Sequence, residues 1–256
     1  MNLDAKISTA KLKGNEIAIF WLGQAGFIIK DNKDRIIAID PYLTDCVERV
    51  YGFKRMIPKL IAPHELDLDI LIISHEHLDH YDVDAVPVIM SNSKTKLVGS
   101  HTAIKIASDS GINQNRLTAL SPCDETVIDG IGIKAIYADH GDLSPDALGF
   151  LLAIGETKIY YTGDTAYNPD VIKAVKELKP DIAIVPINGQ YGNLNSEEAA
   201  KLVSDCGAKV AIPCHFWTFI VHRGDPQEFE NEMKIHAPEC QLKFMHQGEM
   251  FKYRLE

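Results

Sequence analysis

Three of the chain's ten histidines and one aspartate fall in the run Ser74-His75-Glu76-His77-Leu78-Asp79-His80. Imidazole nitrogen and carboxylate oxygen both bind borderline divalent cations. Four such groups crowded together need a cation, or they carry a heavy desolvation cost. With ten histidines and twenty-one aspartates in 256 residues, chance places an HxHxDH pattern on the order of once in a thousand such chains. The plainer reading is a polar turn in which Asp79 caps a helix starting near Tyr81, and Asp79 could cap and ligate at once.

Further candidate ligands share one position, the end of an apolar strand. "RIIAID" ends in Asp40, "DILIIS" leads into His75, "IKAIYADH" ends in His140, "KIYYTGD" in Asp164 and "VAIPCH" in His215. Active sites of open α/β sheets collect outside the carboxyl ends of strands, and the arrangement here is analogous. Alternation along residues 209–215 puts His215 on one face with Ala211 and Pro213. It puts Cys214 on the other with Val210 and Ile212, so the expected donors are nitrogen and oxygen only.

Elements must exist to bring these residues together. Strands are expected at Ile17–Leu22, Phe27–Lys30 and Arg35–Ile39 as consecutive hairpins. Further strands are expected at Ile70–Ile73, Lys96–Val98, Ile131–Asp139, Leu148–Ile154, Lys158–Tyr161, Ile182–Pro186 and Lys209–Pro213. A helix capped by Asn168, with Pro169 at its first position, should run to Pro180. A second is expected to start from a Ser196 cap and stop at Gly207. Strands interleaved with one-faced helices predict a layered α/β fold over residues 1–256 as a single domain.

Composition narrows the function. The net charge of -10 and the lack of a Lys/Arg-rich run disfavour a nucleic-acid partner. No apolar run is long enough for a membrane span, and the N-terminus does not read as a signal peptide. Five cysteines without a CxxC pair suit reduced thiols, so a cytoplasmic protein is expected. A homo-oligomer is compatible with the sequence.

The set "HEHLDH", then His140, "TGD" with Asp164 and a last His215, resembles the metallo-β-lactamase superfamily over nearly the whole chain. "WLGQAGFII", "IDPYLT", "YYTGDTAYNPD" and "PINGQYGNLNSEEAA" are similar to the branch containing L-ascorbate-6-phosphate lactonase, whose members tend to be longer. The resemblance implies a four-layer αββα sandwich of two mixed β-sheets with helices on the outer faces. It implies two divalent ions per chain, zinc or manganese, with iron open. His75, His77 and His140 would hold the first ion, and Asp79, His80 and His215 the second. Asp164 would bridge them and Asp40 would orient a ligand histidine, although Asp40 reads equally as a turn cap before Pro41.

The activity implied is hydrolysis of a small polar ester, a lactone (a sugar-lactone phosphate in its sharpest form) or a phosphate ester. Asp79 and Asp164 are the catalytic candidates. The alternatives are a phosphodiesterase or nuclease and a single-iron, persulfide dioxygenase-like oxidoreductase. For a small polar or phosphorylated substrate, Asn188, Tyr191 and Asn193 offer hydrogen bonds and an aromatic face, unless "NGQYGNLN" is only a turn. Trp217, His222, Arg223 and Tyr167 complete the substrate candidates. Arg223 reads as an anion clamp or as a solvated loop residue.

Overall fold

The computed structural model describes residues 2–255. The chain divides into two compact units, one formed by the residues up to Leu120 with those from Met245 onward, the other by Ser121–Phe244.

The first unit opens with helix α1 (Leu3–Thr9), whose Asn2 cap accepts from Ala5 N. The buried Lys30 ammonium donates to the carbonyls of Ile7 and Ser8 at 3.0 and 2.9 Å, pinning the end of that helix. Strands β1 (Glu16–Gly23), β2 (Gly26–Asp31) and β3 (Ile36–Ile39) pair antiparallel in succession, as the closely spaced apolar runs predict. Helix α2 (Cys46–Tyr51) follows. Strand β4 (Ile70–Ile73) then adds parallel to β3. All four of its side chains are fully buried, the pattern of a parallel strand covered on both faces. Helix α3 (Ala85–Ile89), strand β5 (Lys96–Gly99), helix α4 (His101–Asp109) and strand β6 (Leu117–Ala119) extend the parallel part. The helix expected near Tyr81 starts at Ala85 instead. The histidine run is wound into a turn in which His80 N and Tyr81 N both donate to His77 O.

In the second unit β7 (Glu125–Ile128), β8 (Ile131–Tyr137), β9 (Leu148–Ile154) and β10 (Thr157–Tyr161) pair antiparallel in turn. Helix α5 (Pro169–Val175), strand β11 (Ile182–Pro186), helix α6 (Ser196–Cys206), strand β12 (Val210–Cys214), helix α7 (Pro226–His236) and strand β13 (Gln241–Leu242) follow, their strands parallel to β10. The α5 cap is Asn168, as expected, but the helix ends at Val175, short of Pro180. The α6 cap is Asn195 rather than Ser196. Asn195 and Glu198 form a reciprocal capping box that takes precedence over the serine hydroxyl. Strand β14 (Met250–Arg254) closes the first unit, antiparallel to β1.

The sheets are therefore β14-β1-β2-β3-β4-β5-β6 and β13-β12-β11-β10-β9-β8-β7. Each runs four strands antiparallel and then continues parallel, so β3 matches β10, β4 matches β11 and β5 matches β12. This internal repeat of topology leaves no repeat in the sequence. It places Asp40 and Asp164 after equivalent strands. No helix among the described residues is long and apolar enough to cross a membrane.

Gly99 shows how tightly the strand ends are packed. A Cβ there would lie 2.6 Å from the carbonyl oxygen of Ile73, the last residue of β4. Gly99→Ala is expected to force β5 away from β4 and to destabilise the fold by about 1–3 kcal/mol. A denaturant titration checks this, and an unchanged midpoint would refute the packing argument.

Candidate metal centre

In the first unit Asp40 organises the histidines. It leaves β3 in the left-handed region (φ 43°), where a non-glycine residue is strained, and it is fully buried. Its N–H donates to Ile72 O on β4 at 3.0 Å, which explains why the strain persists. Asp40 Oδ1 accepts from Ser74 N at 2.8 Å, and Oδ2 accepts from the Ser74 hydroxyl. His80 Nδ1 lies 2.7 Å from the same Oδ2. A carboxylate can only accept, so Nδ1 carries the proton and the lone pair of His80 sits on Nε2.

The same logic fixes His75. The Ser74 hydroxyl proton is committed to Asp40, so His75 Nδ1, 2.9 Å from Ser74 Oγ, must donate to that oxygen. This leaves Nε2 of His75 as a lone-pair donor, and it lies 3.0 Å from His77 Nδ1. Neighbouring nitrogens on one ion, at bond lengths of ~2.0–2.1 Å, stand roughly 3 Å apart, so the pair suits a shared cation. Asp79 Oδ2 lies 3.7 Å from His80 Nε2 and accepts from Gln24 Nε2 at 2.7 Å. Asp40, His75 and His80 bring one donor atom each within 4.8 Å of one another. Both Asp40 oxygens already accept, from Ser74 and His80, so the carboxylate fixes how those side chains point.

The second unit repeats the device around Asp164, which follows β10 and is 5% exposed. Its Oδ2 accepts from Asn193 Nδ2 at 2.7 Å and lies 3.3 Å from His215 Nε2 and 3.8 Å from His140 Nε2. His215 leaves β12 with φ 61°, a second strained residue at a strand end. Its ring stacks on that of His222 at 4.7 Å, and the ring edges of Tyr191 and Phe219 meet His222 at 5.6 and 5.0 Å. The loop after β11 is held by Leu194 N donating to Thr165 O and Gly189 N donating to Leu194 O. Two buried imidazole nitrogens thus face one carboxylate oxygen, which the Asn193 amide holds in place.

Among the described residues no cysteine joins these clusters. Cys214 is buried. Cys46 lies behind the histidine turn with its thiol on Leu78 O. Burial, with Asp82 adding, pushes its pKa up to about 12, so it remains a thiol at neutral pH.

The substrate candidates separate. Asn188 and Asn193 are buried, Tyr191 and Trp217 are about half exposed, and His222 is 8% exposed. Arg223 is exposed. The Tyr167 hydroxyl is engaged by Asp205 on α6 at 2.7 Å; burial first and that carboxylate second push its pKa up to about 12.

Three contributors escape a reading of the sequence. Gln24 is fully buried with φ 51° in the β1–β2 turn and holds Asp79. Ser74 relays Asp40 to His75. Asp82 accepts from Leu43 N, Thr44 N, the Thr44 hydroxyl and Ala85 N at 2.7–3.0 Å, clamping the segment after Asp40 to the start of α3. Only Gln24 left a trace, the "GQAG" turn whose glycines frame it.

Comparison with known proteins places the chain in a family. The β-lactamase superfamily domain model matches residues 18–215. The UPF0173 metal-dependent hydrolase of Aeropyrum pernix is 27% identical over 248 residues, 91% of this chain and 96% of that protein. That of Thermoplasma volcanium is 30% identical over 221 residues, 84% and 91% of the two chains. Among solved structures, the metallo hydrolase Igni18 of Ignicoccus hospitalis superposes with a TM-score of 0.73 at 22% identity, covering 94% of this chain and all of that one. With its two mixed sheets and its carboxylate-anchored histidines, the chain belongs to the metallo-β-lactamase superfamily, as a metal-dependent hydrolase of the UPF0173 family.

Proposed function

We propose that the two units act as one hydrolase domain that binds two divalent ions and cleaves a small ester, lactone or phosphate ester. The reading rests most on Asp40, which sets the tautomer of His80 directly and that of His75 through Ser74, the outer-sphere arrangement that ligand histidines use. Bound divalent ions supply an acidified water at neutral pH and a Lewis acid for the attacked oxygen.

The chain's own residues have separable parts in this reading. His75, His77 and His140 hold one ion, Asp79, His80 and His215 the other, and Asp164 serves both. Asp79, steadied by Gln24, orients the nucleophile and takes its proton. Asn193 fixes the Asp164 carboxylate. Asn188, Tyr191, Trp217, His222 and Arg223 are the substrate contacts. The lactone version draws support from the resemblance to the ascorbate-phosphate lactonase branch. Zinc, manganese and iron all suit nitrogen and oxygen donors. Free thiols and the absence of a basic run fit a cytoplasmic enzyme acting on a small molecule.

The test is to strip the protein with a chelator and reload it separately with zinc, manganese or iron(II). Lactones, carboxylic esters and phosphate esters are then assayed with each. Hydrolysis of one class restored by a divalent ion is expected. No hydrolysis with any ion, or oxygen uptake with iron alone, would overturn the proposal.

A further inference from the structure

The segments that carry His140, Asp164's partner Asn193 and His215 present large apolar side chains to solvent. Leu143 is 51% exposed, Tyr191 48%, Trp217 54% and Ile220 82%. Leu143 closes the short helical turn that follows His140. Trp217 and Ile220 lie in the turn that leaves His215. Tyr191 meets the His222 ring, which in turn stacks on His215. Exposed apolar side chains gathered at one place mark a binding surface, whereas scattered ones need no explanation.

Backbone strain and packing show that this collar is built. Tyr191, His215 and Trp217 all hold left-handed backbone (φ 54°, 61° and 59°), a conformation that L residues keep only when their surroundings impose it. The Trp217 indole N–H donates to Gly224 O at 2.9 Å, and its ring meets that of Phe216 edge to face at 5.4 Å. Gly224 (φ 94°) leaves no room for a side chain, since a Cβ would lie 2.6 Å from Phe216 Cβ. Trp217 is thus fixed while half its surface stays in water.

The same segments carry two buried amide oxygens. Asn193 must turn its NH2 toward the Asp164 carboxylate, which directs Oδ1 away from it. That oxygen and Asn188 Oδ1 have no hydrogen-bond partner, with Asn188 only 2% and Asn193 6% exposed. Buried acceptors of this kind call for a donor from outside the chain. The chain's own side chains offer little positive charge here. Residues 139–146, 187–195 and 215–224 hold Asp139, Asp142 and Asp146, and Arg223 is their only Lys or Arg.

We propose that the substrate of this site is an ester or lactone with an aliphatic or aromatic arm, seated on Leu143, Tyr191, Trp217 and Ile220, and with an O–H or N–H donor that reaches Asn188 and Asn193. The proposal deepens the hydrolase reading above and rests on it. It adds an apolar arm to the small ester or lactone of that reading.

The experiment titrates metal-reloaded protein with straight-chain hydroxamic acids of increasing length, a constant metal-binding head with a varied tail. Affinity is expected to rise about three- to fourfold per added methylene until the collar is covered. Trp217→Ala with Ile220→Ser should flatten that rise and leave metal content unchanged. Ile220→Ser alone, at so exposed a position, gives a partial loss in a protein that keeps its fold. A flat series in the wild type overturns the proposal whatever the metal content, as does a rise that survives both substitutions. A flat series together with a smaller sedimenting mass for the variants would instead identify the collar as a contact between copies. Ester cleavage is measured on the same samples. Its absence beside a persistent chain-length effect would count against the hydrolase reading alone.

Discussion

Asp164→Ala is expected to lower hydrolysis by roughly a thousandfold or more, equivalent to ~4 kcal/mol of transition-state stabilisation. Its Oδ2 sits 3.3 Å from His215 Nε2 and 3.8 Å from His140 Nε2, so one oxygen faces both candidate ligand histidines. Asn193, which holds it, presents its NH2 there and cannot take its place. The loss should also appear without any substrate. Metal binds the native state alone, so removing a ligand cuts the rise in melting temperature that added metal gives the wild type. The metal-free variant should melt near the metal-free wild type, since it sheds a buried negative charge along with the Asn193 hydrogen bond. A variant that keeps the metal-induced stabilisation would show that Asp164 is not a ligand.

Asp40→Ala should act on fold and site together. The carboxylate accepts from Ser74 N and the Ser74 hydroxyl and holds His80 Nδ1, all fully buried. Truncation leaves those donors unsatisfied at about 1–3 kcal/mol each before relaxation, and a net loss of roughly 3–5 kcal/mol is expected. Metal affinity should fall by a further ~10–100-fold, because His80 and His75 lose the partner that sets their tautomers. Asp40→Asn separates the two effects. Asparagine tolerates the left-handed backbone, so much of the stability should return. Its amide cannot restore the charge that fixes the imidazoles, so metal affinity should stay low. Wild-type stability and wild-type metal affinity in Asp40→Ala would refute the orienting role.

The candidate ligands were legible in the sequence because their signal is short-range. Four of them sit within six residues, and the others follow apolar strand runs that end in a single polar residue. The antiparallel start of the first sheet was legible for the same reason, as turn residues separate its strands by only a few positions. What sequence reading missed depends on contacts through space. Ser74 matters because Asp40, 34 residues earlier, lies on the neighbouring parallel strand. The repeated topology of the two sheets was hidden because it preserves strand order and not side chains. Helix starts failed where two capping groups compete, Asn195 against Ser196, and where Asp79 entered a ligand turn before the helix at Ala85. Helix α7 was not anticipated, although Asp225 caps it and Pro226 opens it.

The most direct test of the central claim is the metal content of the chain, measured by elemental analysis of wild type and Asp164→Ala after stripping and reloading with a single divalent ion. About two ions per wild-type chain, with fewer in the variant and hydrolysis lost in step, is the expected result. A wild-type chain that hydrolyses its substrate fully with no metal, or with one ion that Asp164→Ala retains, would contradict the account.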